Sequence, residues 1–554
     1  MTFPDYQPSG RWRTGGLVVA AAVLSLAVAG CAAVESAGST SGTGAGTAAD
    51  SFGVPAQADQ VKDGGALVMA LSAEPDQLDP GLSRSLYSRY VFSAMCQKLY
   101  DVDSAAKIVP QLATALPTVT DGGKTVTIPV REGVKFADGT AFDAAAVKAT
   151  FDRNLTMKGS GRKSELGPIT GVEATDSKTV VIHLSKPFAP LTAALTDRAG
   201  MILSPTVAKA LGEKFATAPV CVGPFKFAKR VPQNSIELVK DPNFYDAAKV
   251  HLASISYRII TGASIRAANL RSGDVQVADS LSAQDVPTLS KESSLTVLQS
   301  QSLGYQGVTF NVGNVDGVGE PAKAIDRPEA KDPRIRQAFE LAIDRAGLVK
   351  VIFNNLNTVA CSPISPKSEF SSDAVQQCTP HDPAKAKALL KEAGVTTPFP
   401  IEIATSNNPD SLRLAQALQS MVKDGGFALK IKPVEYASLL DLQDAGDFSL
   451  LQLGWSGRID PDANITNFVG TGGSQNVAGH NDPVVDGLLD QARQSQDLAE
   501  RKSLYAQVVA LLHKSDPLIY LYRQRNLTGV SNTLKGVQVF PDGVVRLAFA
   551  GLGK

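Results

Sequence analysis

A short apolar run that ends at Cys31 separates the part of this chain that can fold from the part that is not expected to. Residues 17–29 are apolar, Arg11 and Arg13 precede them, and Val28-Ala29-Gly30-Cys31 has the small-residue pattern of a lipoprotein cleavage site. The run is too short to span a bilayer as a helix and suits the core of a signal peptide. Residues 1–30 are therefore expected to be removed. Cys31 then becomes the N-terminus and its thiol takes a diacylglycerol, since several buried acyl chains hold a protein to a membrane far more firmly than one does. An ordinary secretory peptide with an incidental cysteine is the plainer alternative. Residues 32–58 are built mainly from Gly, Ser, Thr and Ala. Such a stretch cannot bury enough apolar surface to offset its ordering entropy, so residues 31–60 are read as a flexible tether.

The remaining chain is long enough for two or three domains and has no second run that could cross a membrane. The 54 Lys and Arg balance the 54 Asp and Glu. No global field draws it to nucleic acid, and a nucleic-acid partner is not expected. Apart from Cys31 there are Cys96, Cys221, Cys361 and Cys378, an even set that suits an oxidising compartment. Cys361 and Cys378 bracket a Pro- and Ser-rich loop, whose closure would remove roughly 3 kcal/mol of unfolded-state entropy on the chain model. That bridge is expected, with Cys96–Cys221 as the second, although four cysteines allow three connectivities. The five histidines are scattered and no cysteines have CxxC spacing, so neither a metal nor a cofactor is expected.

Strand and helix patterns alternate along the mature chain. The run Ala66-Leu67-Val68-Met69-Ala70-Leu71 reads as a buried strand, while Thr125-Val126-Thr127-Ile128-Pro129-Val130 and Thr179-Val180-Val181-Ile182-His183-Leu184 alternate at period two. Asp332-Pro333, Asp382-Pro383 and Asp482-Pro483 each place a capping carboxylate before a proline whose missing N–H costs nothing in a first helical turn. These aspartates are read as caps rather than ligands.

Gly64-Gly65-Ala66-Leu67-Val68-Met69-Ala70-Leu71-Ser72-Ala73-Glu74-Pro75-Asp76-Gln77-Leu78-Asp79-Pro80 resembles the opening of the extracellular solute-binding proteins of family 5, the peptide/nickel-type receptors of ABC importers. Val109-Pro110-Gln111-Leu112-Ala113, Arg131-Glu132-Gly133-Val134-Lys135-Phe136-Ala137-Asp138-Gly139-Thr140, Val222-Gly223-Pro224-Phe225-Lys226 and the stretch from Asp332-Pro333-Arg334 to Ile343-Asp344-Arg345 resemble later blocks, in the family's order. The resemblance implies an α/β, bilobal periplasmic-binding-protein-like fold (type II, cluster C-like) with an extra α/β domain inserted in lobe one. Lobe one would comprise residues 61–98, 186–306 and 516–554, the extra domain 99–185, and lobe two 307–515. It further implies a monomeric, membrane-anchored receptor on the outer face of the cytoplasmic membrane, which passes a peptide or small solute to permease subunits and their ATPases.

By the same resemblance, ligand contacts come from residues 83–91, 304–311 and 454–464. Tyr87, Tyr305, Asn311, Trp455, Arg458, Asp460 and Asn464 are the expected ligand-binding residues. Trp455 is the single tryptophan left after removal of Trp12 and lies among Gly, Ser, Pro and Asn, which suits a cleft wall better than a core. The best-known peptide-binding members have an aspartate shortly after this tryptophan, which pairs with the ligand's α-ammonium. Here Arg458 stands in its place, and a guanidinium cannot accept a hydrogen bond. Two readings follow: Arg458 faces an anionic group of the ligand, or it pairs internally with Asp460 or Asp462. Enzyme chemistry is not expected. Ser160-Gly161-Arg162-Lys163 and Ser406-Asn407-Asn408 match SxxK and SxN, but the KTG element of such acyl-transferases is absent, as are a phosphate loop and a GxSxG elbow. A ligand sensor or adhesin is the other alternative.

Overall fold

The computed structural model describes residues 49–554; Cys31 and the expected signal peptide lie outside the described residues. Each Asp-Pro pair starts a helix. Asp332 accepts from the Arg334 N–H ahead of Pro333–Leu341, Asp382 from Lys385 ahead of Pro383–Glu392, and Asp482 from Val484 and Val485 ahead of Pro483–Gln494. Each such cap contributes on the order of 1 kcal/mol. The period-two runs form neighbouring antiparallel strands, Thr125–Pro129 and Thr179–Leu184, with Val126 opposite Ile182 and Ile128 opposite Val180 on the buried face. With Thr118–Thr120 and Ile169–Ala174 they make a four-stranded sheet covered by helix Ala144–Thr156. Its apolar face runs into the core of the first lobe without a break.

A seven-stranded mixed sheet carries the first lobe. Its order is Leu295–Gln301, Arg525–Ser531, Val277–Ala278, Ala66–Leu71, Ser254–Ile259, Ser235–Lys240, Phe225–Val231, and Ala66–Leu71 runs parallel to both of its neighbours. The second lobe has six strands, ordered Thr358–Val359, Leu518–Arg523, Tyr305–Phe310, Leu450–Trp455, Phe399–Ser406, Phe427–Val434. Two adjacent crossings join the lobes. Leu295–Gln301 leads through Ser302, Leu303 and Gly304 into Tyr305–Phe310, and Leu518–Arg523 leads through Gln524 into Arg525–Ser531. The return to lobe one therefore falls at Gln524 rather than at residue 516. Leu518–Arg523 is buried at all six positions, because it pairs with a strand on each side inside the second sheet. At the first crossing the backbones nearly touch: a Cβ on Gly304 would lie 1.7 Å from the Trp455 carbonyl oxygen.

The expected tether also ends earlier than residue 60. The Gln301 N–H and Arg525 Nη1 each donate to Asp50 Oδ1 at 3.0 Å, Ser51 bridges Gln299, and Val61–Lys62 pairs with Gly551–Gly553. The reason is electrostatic: Asp50 neutralises Arg525, which is otherwise buried at the crossing. Cys96 is bonded to Cys221 within the first core, and Cys361 to Cys378 across a 17-residue separation in the second lobe. No helix among the described residues is long and apolar enough to cross a membrane.

Candidate functional site: the interlobe cavity

Between the lobes lies a cavity of about 240 Å³. Lobe one contributes Ser72, just past the parallel strand Ala66–Leu71, and Tyr87, in the first turn of helix Leu86–Met95. It also gives Arg84 and the segment 280–283. Lobe two contributes the end of strand Phe399–Ser406 and the start of helix Pro409–Asp424, where Ser406, Asn408, Asp410, Ser411 and Arg413 line the space. Tyr436, Gln452 and Trp455 complete that wall, and Tyr522, Gln524 and Asn526 come from the second crossing. Sheet topology decides this composition, because strands ending at one edge leave a crevice that the following loops and helix starts must line. Hydroxyl and carboxamide groups dominate the lining. Gln452 Nε2 donates to the Ser411 carbonyl, while its buried Oε1 has no partner among the described residues.

The lobes meet around this space. Tyr87 and Tyr436 pack edge to face with ring centroids 5.4 Å apart, Arg84 pairs with Asp444, Lys186 pairs with Asp490, and the Ala189 N–H donates to the Arg493 carbonyl at 2.7 Å. Beside the crossing, Asp197 of lobe one, 5 % exposed, receives Arg89 Nε at 2.9 Å and faces Arg458 Nη2 of lobe two at 2.5 Å. Burial alone would raise the Asp197 pKa, but Arg458, Arg89 and Arg198 outweigh it and hold the carboxyl well below the usual range. Burial and the charge of Arg89 pull the Arg458 pKa down to about 9 against the opposing effect of Asp197, which leaves it cationic at neutral pH. Burial, with the charge of Asp279, pushes the Tyr87 hydroxyl up to about 12.

Of the expected ligand-binding residues, Tyr87 and Trp455 border the cavity, and five do not. Trp455 is also core. It is 7 % exposed, packs edge to face on Phe468 and donates its Nε1–H to Asn464 Oδ1 at 2.9 Å. Asn464 further accepts the Arg458 N–H at 2.7 Å and donates to the Arg458 carbonyl at 2.8 Å, so its carboxamide is consumed in fixing the turn. Tyr305 donates its hydroxyl to the Asn464 carbonyl from within the second core. The Asn311 carboxamide binds the backbone of Gly313, Asn314 and Gly446. Asp460 pairs with Arg501 and Asp462 with Arg493, which leaves neither for Arg458. Arg458 is paired internally, but with Asp197, far away in sequence and on the other lobe, rather than with Asp460 or Asp462.

Each of the three segments singled out in the sequence reaches the cavity: residues 83–91 through Arg84 and Leu86 beside Tyr87, residues 304–311 through Gln306, and residues 454–464 through Gly454 and Ser456 beside Trp455. The wall formed by residues 406–413 lies outside the three segments expected to contact ligand. Its signal was a polar helix start, Asn408-Pro409, whose Asn408 Oδ1 caps the Ser411 N–H at 2.8 Å and whose Nδ2 donates to Ser406 Oγ at 2.9 Å. The SxN match is therefore a helix cap. Glu340, His513 and Asp516 group their ligand atoms within 4.8 Å, outside this cavity, but Glu340 already receives Arg345 and Thr379.

Two α/β lobes, two crossing strands and a polar cavity closed over from both sides define a bilobal solute-binding protein. Residues 107–476 match the family described as bacterial extracellular solute-binding proteins, family 5, and the chain belongs to that family. It is 28 % identical over 487 residues to the glutathione-binding protein GsiB of Pectobacterium atrosepticum, which covers 86 % of this chain and 92 % of that one. Among solved structures it is similar to AgaA of A. tumefaciens R10 in complex with agropinic acid, with TM-score 0.77, 28 % identity and coverage of 88 % and 96 %. DppA of Helicobacter pylori in complex with the peptide STSA superposes with TM-score 0.80 at 25 % identity, covering 89 % and 99 %.

Proposed function

We propose that the protein is a membrane-anchored receptor of an ABC importer, held outside the cell by an acylated Cys31, which captures a peptide or peptide-like solute in the interlobe cavity and hands it to permease subunits with their ATPases. The observation that carries this reading is the cavity itself, where hydroxyl and amide groups from both lobes converge beside the rings of Tyr87, Tyr436 and Trp455. Relatives named for glutathione, agropinic acid and a tetrapeptide support a small solute rich in amide and acid groups. No covalent step is required of such a receptor, and an affinity near micromolar, about −8 kcal/mol, leaves release possible. Binding stabilises the closed state by the difference in ligand affinity between closed and open forms.

Thermal unfolding of the chain from residue 47 onward, against peptides, amino-acid conjugates, opines, oligosaccharides and nickel complexes, tests this. A cognate class raises stability by about 2.7 kcal/mol at a hundredfold excess over Kd. Ligand-free protein, verified by native mass spectrometry, that shifts with none of them would count against the receptor role.

A further inference from the structure

On the Arg458 side of Trp455, the second lobe meets Asp197 across a small recess of about 20 Å³ lined also by Glu165, Asp460 and Asp462. The groups gathered around the Arg458 side chain are those that bind an organic cation. The Trp455 ring lies 4.2 Å from the guanidinium carbon, Asp197 Oδ2 is 2.5 Å from Nη2, and Nη1 donates to the Gly457 carbonyl at 2.7 Å and to Ser456 Oγ at 3.3 Å. The carboxylate and the aromatic face answer the positive charge, while the carbonyl and the hydroxyl accept N–H groups, and an ammonium or guanidinium ion asks for both. In this chain an internal side chain fills that receptor, and its carboxylate partner comes from across the lobe boundary.

We infer that Arg458 occupies from within the place where a ligand's cationic amine would bind, so that the cavity selects solutes without a free amine: N-acylated, cyclised or non-amino compounds recognised through amide, hydroxyl and acid groups. The inference rests on reading the interlobe cavity as the ligand site. The neighbouring carboxylates agree with it. Asp410 is the one acid among the described cavity-lining residues, and it faces Arg413 at 3.2 Å. Asp444 is paired with Arg84, Asp460 with Arg501 and Asp462 with Arg493. Asp279 takes two hydrogen bonds from Ser72 and one from Ser280. An incoming ammonium would have to displace a cation already in place. The buried Gln452 Oε1, by contrast, offers an acceptor to a ligand N–H or O–H.

Two arms test the inference, both on the full mature chain in detergent. In the first, Arg458→Ala is melted with methylguanidinium chloride and with sodium chloride at equal ionic strength. The emptied receptor should bind the added cation, so the variant's Tm rises over its sodium control while the wild type's does not; equal responses overturn the inference. Arg458→Ser replaces the alanine variant if that one does not fold. In the second arm, calorimetry compares the peptide Ser-Thr-Ser-Ala with its N-acetyl form. Wild type should bind the acetylated peptide at least as tightly, and the variant should gain tenfold or more for the free amine. A tenfold loss on acetylation in the wild type overturns the inference. Should no solute of any class bind the wild type, the receptor reading fails, and the methylguanidinium arm decides the place of Arg458 by itself.

Discussion

Asp516 is 1 % exposed, and its Oδ2 has no hydrogen-bond partner among the described residues. Burial first and the nearby Glu340 second push its pKa well above the usual carboxylate value, against the pull of Arg336 and Arg345. His513 stands in the same cluster, its own pKa lowered by burial. The sign follows directly. Above about pH 4 the unfolded chain releases the Asp516 proton while the folded chain keeps it, so stability falls as pH rises toward the folded pKa. Asp516→Asn is therefore expected to raise Tm at pH 7 to 8, with the gain vanishing below about pH 4; a gain of equal size at every pH would refute this cause. No residue pattern around Asp516 announces the cluster, because Asp516 and His513 close one helix while Glu340 comes from the end of another, and the two meet only in the folded lobe. Trp455 marks the same limit. Its loop setting was legible, but one side chain serves core and cavity wall together, and that follows from what packs on each side of the indole.

At the scale of elements, the sequence was most informative where the signal is local. The three Asp-Pro helix starts and the period-two strands of the extra domain depend on capping and alternation within a few residues. Glycines show where such local reading stops. Gly487 sits inside helix Pro483–Gln494 with nothing within 4 Å of a built Cβ, so Gly487→Ala should stabilise by about 0.5–1 kcal/mol. Gly304 looks equally ordinary in sequence, yet its Cβ would collide with the Trp455 carbonyl and, at 2.6 Å, with the Gly457 nitrogen. Gly304→Ala should cost about 3 kcal/mol or more, because the obstacle is backbone and cannot move aside. Paired melting curves check both, and a Gly304→Ala protein as stable as wild type would contradict the close approach of the two segments.

For the whole molecule, closure is the property on which function depends. The Arg84–Asp444 pair joins the lobes at side chains that are a quarter exposed or less, and its contribution is at most about 1 kcal/mol. Arg84→Ala is expected to shift the unliganded protein toward open forms, seen as a larger radius of gyration in solution scattering, with the compact value restored by saturating ligand. An unchanged radius would mean that this pair does not bias closure. By itself the sequence determined the alternating α/β elements, the family's bilobal plan and the helix starts, because capping, alternation and block order are written in neighbouring residues. Only the tertiary structure decided where the chain returns to lobe one, which polar residues face the cavity and that Arg458 is answered by Asp197. A buried charge takes whichever opposite charge the packed lobes bring within reach, and that choice depends on distances in space that spacing along the chain does not encode.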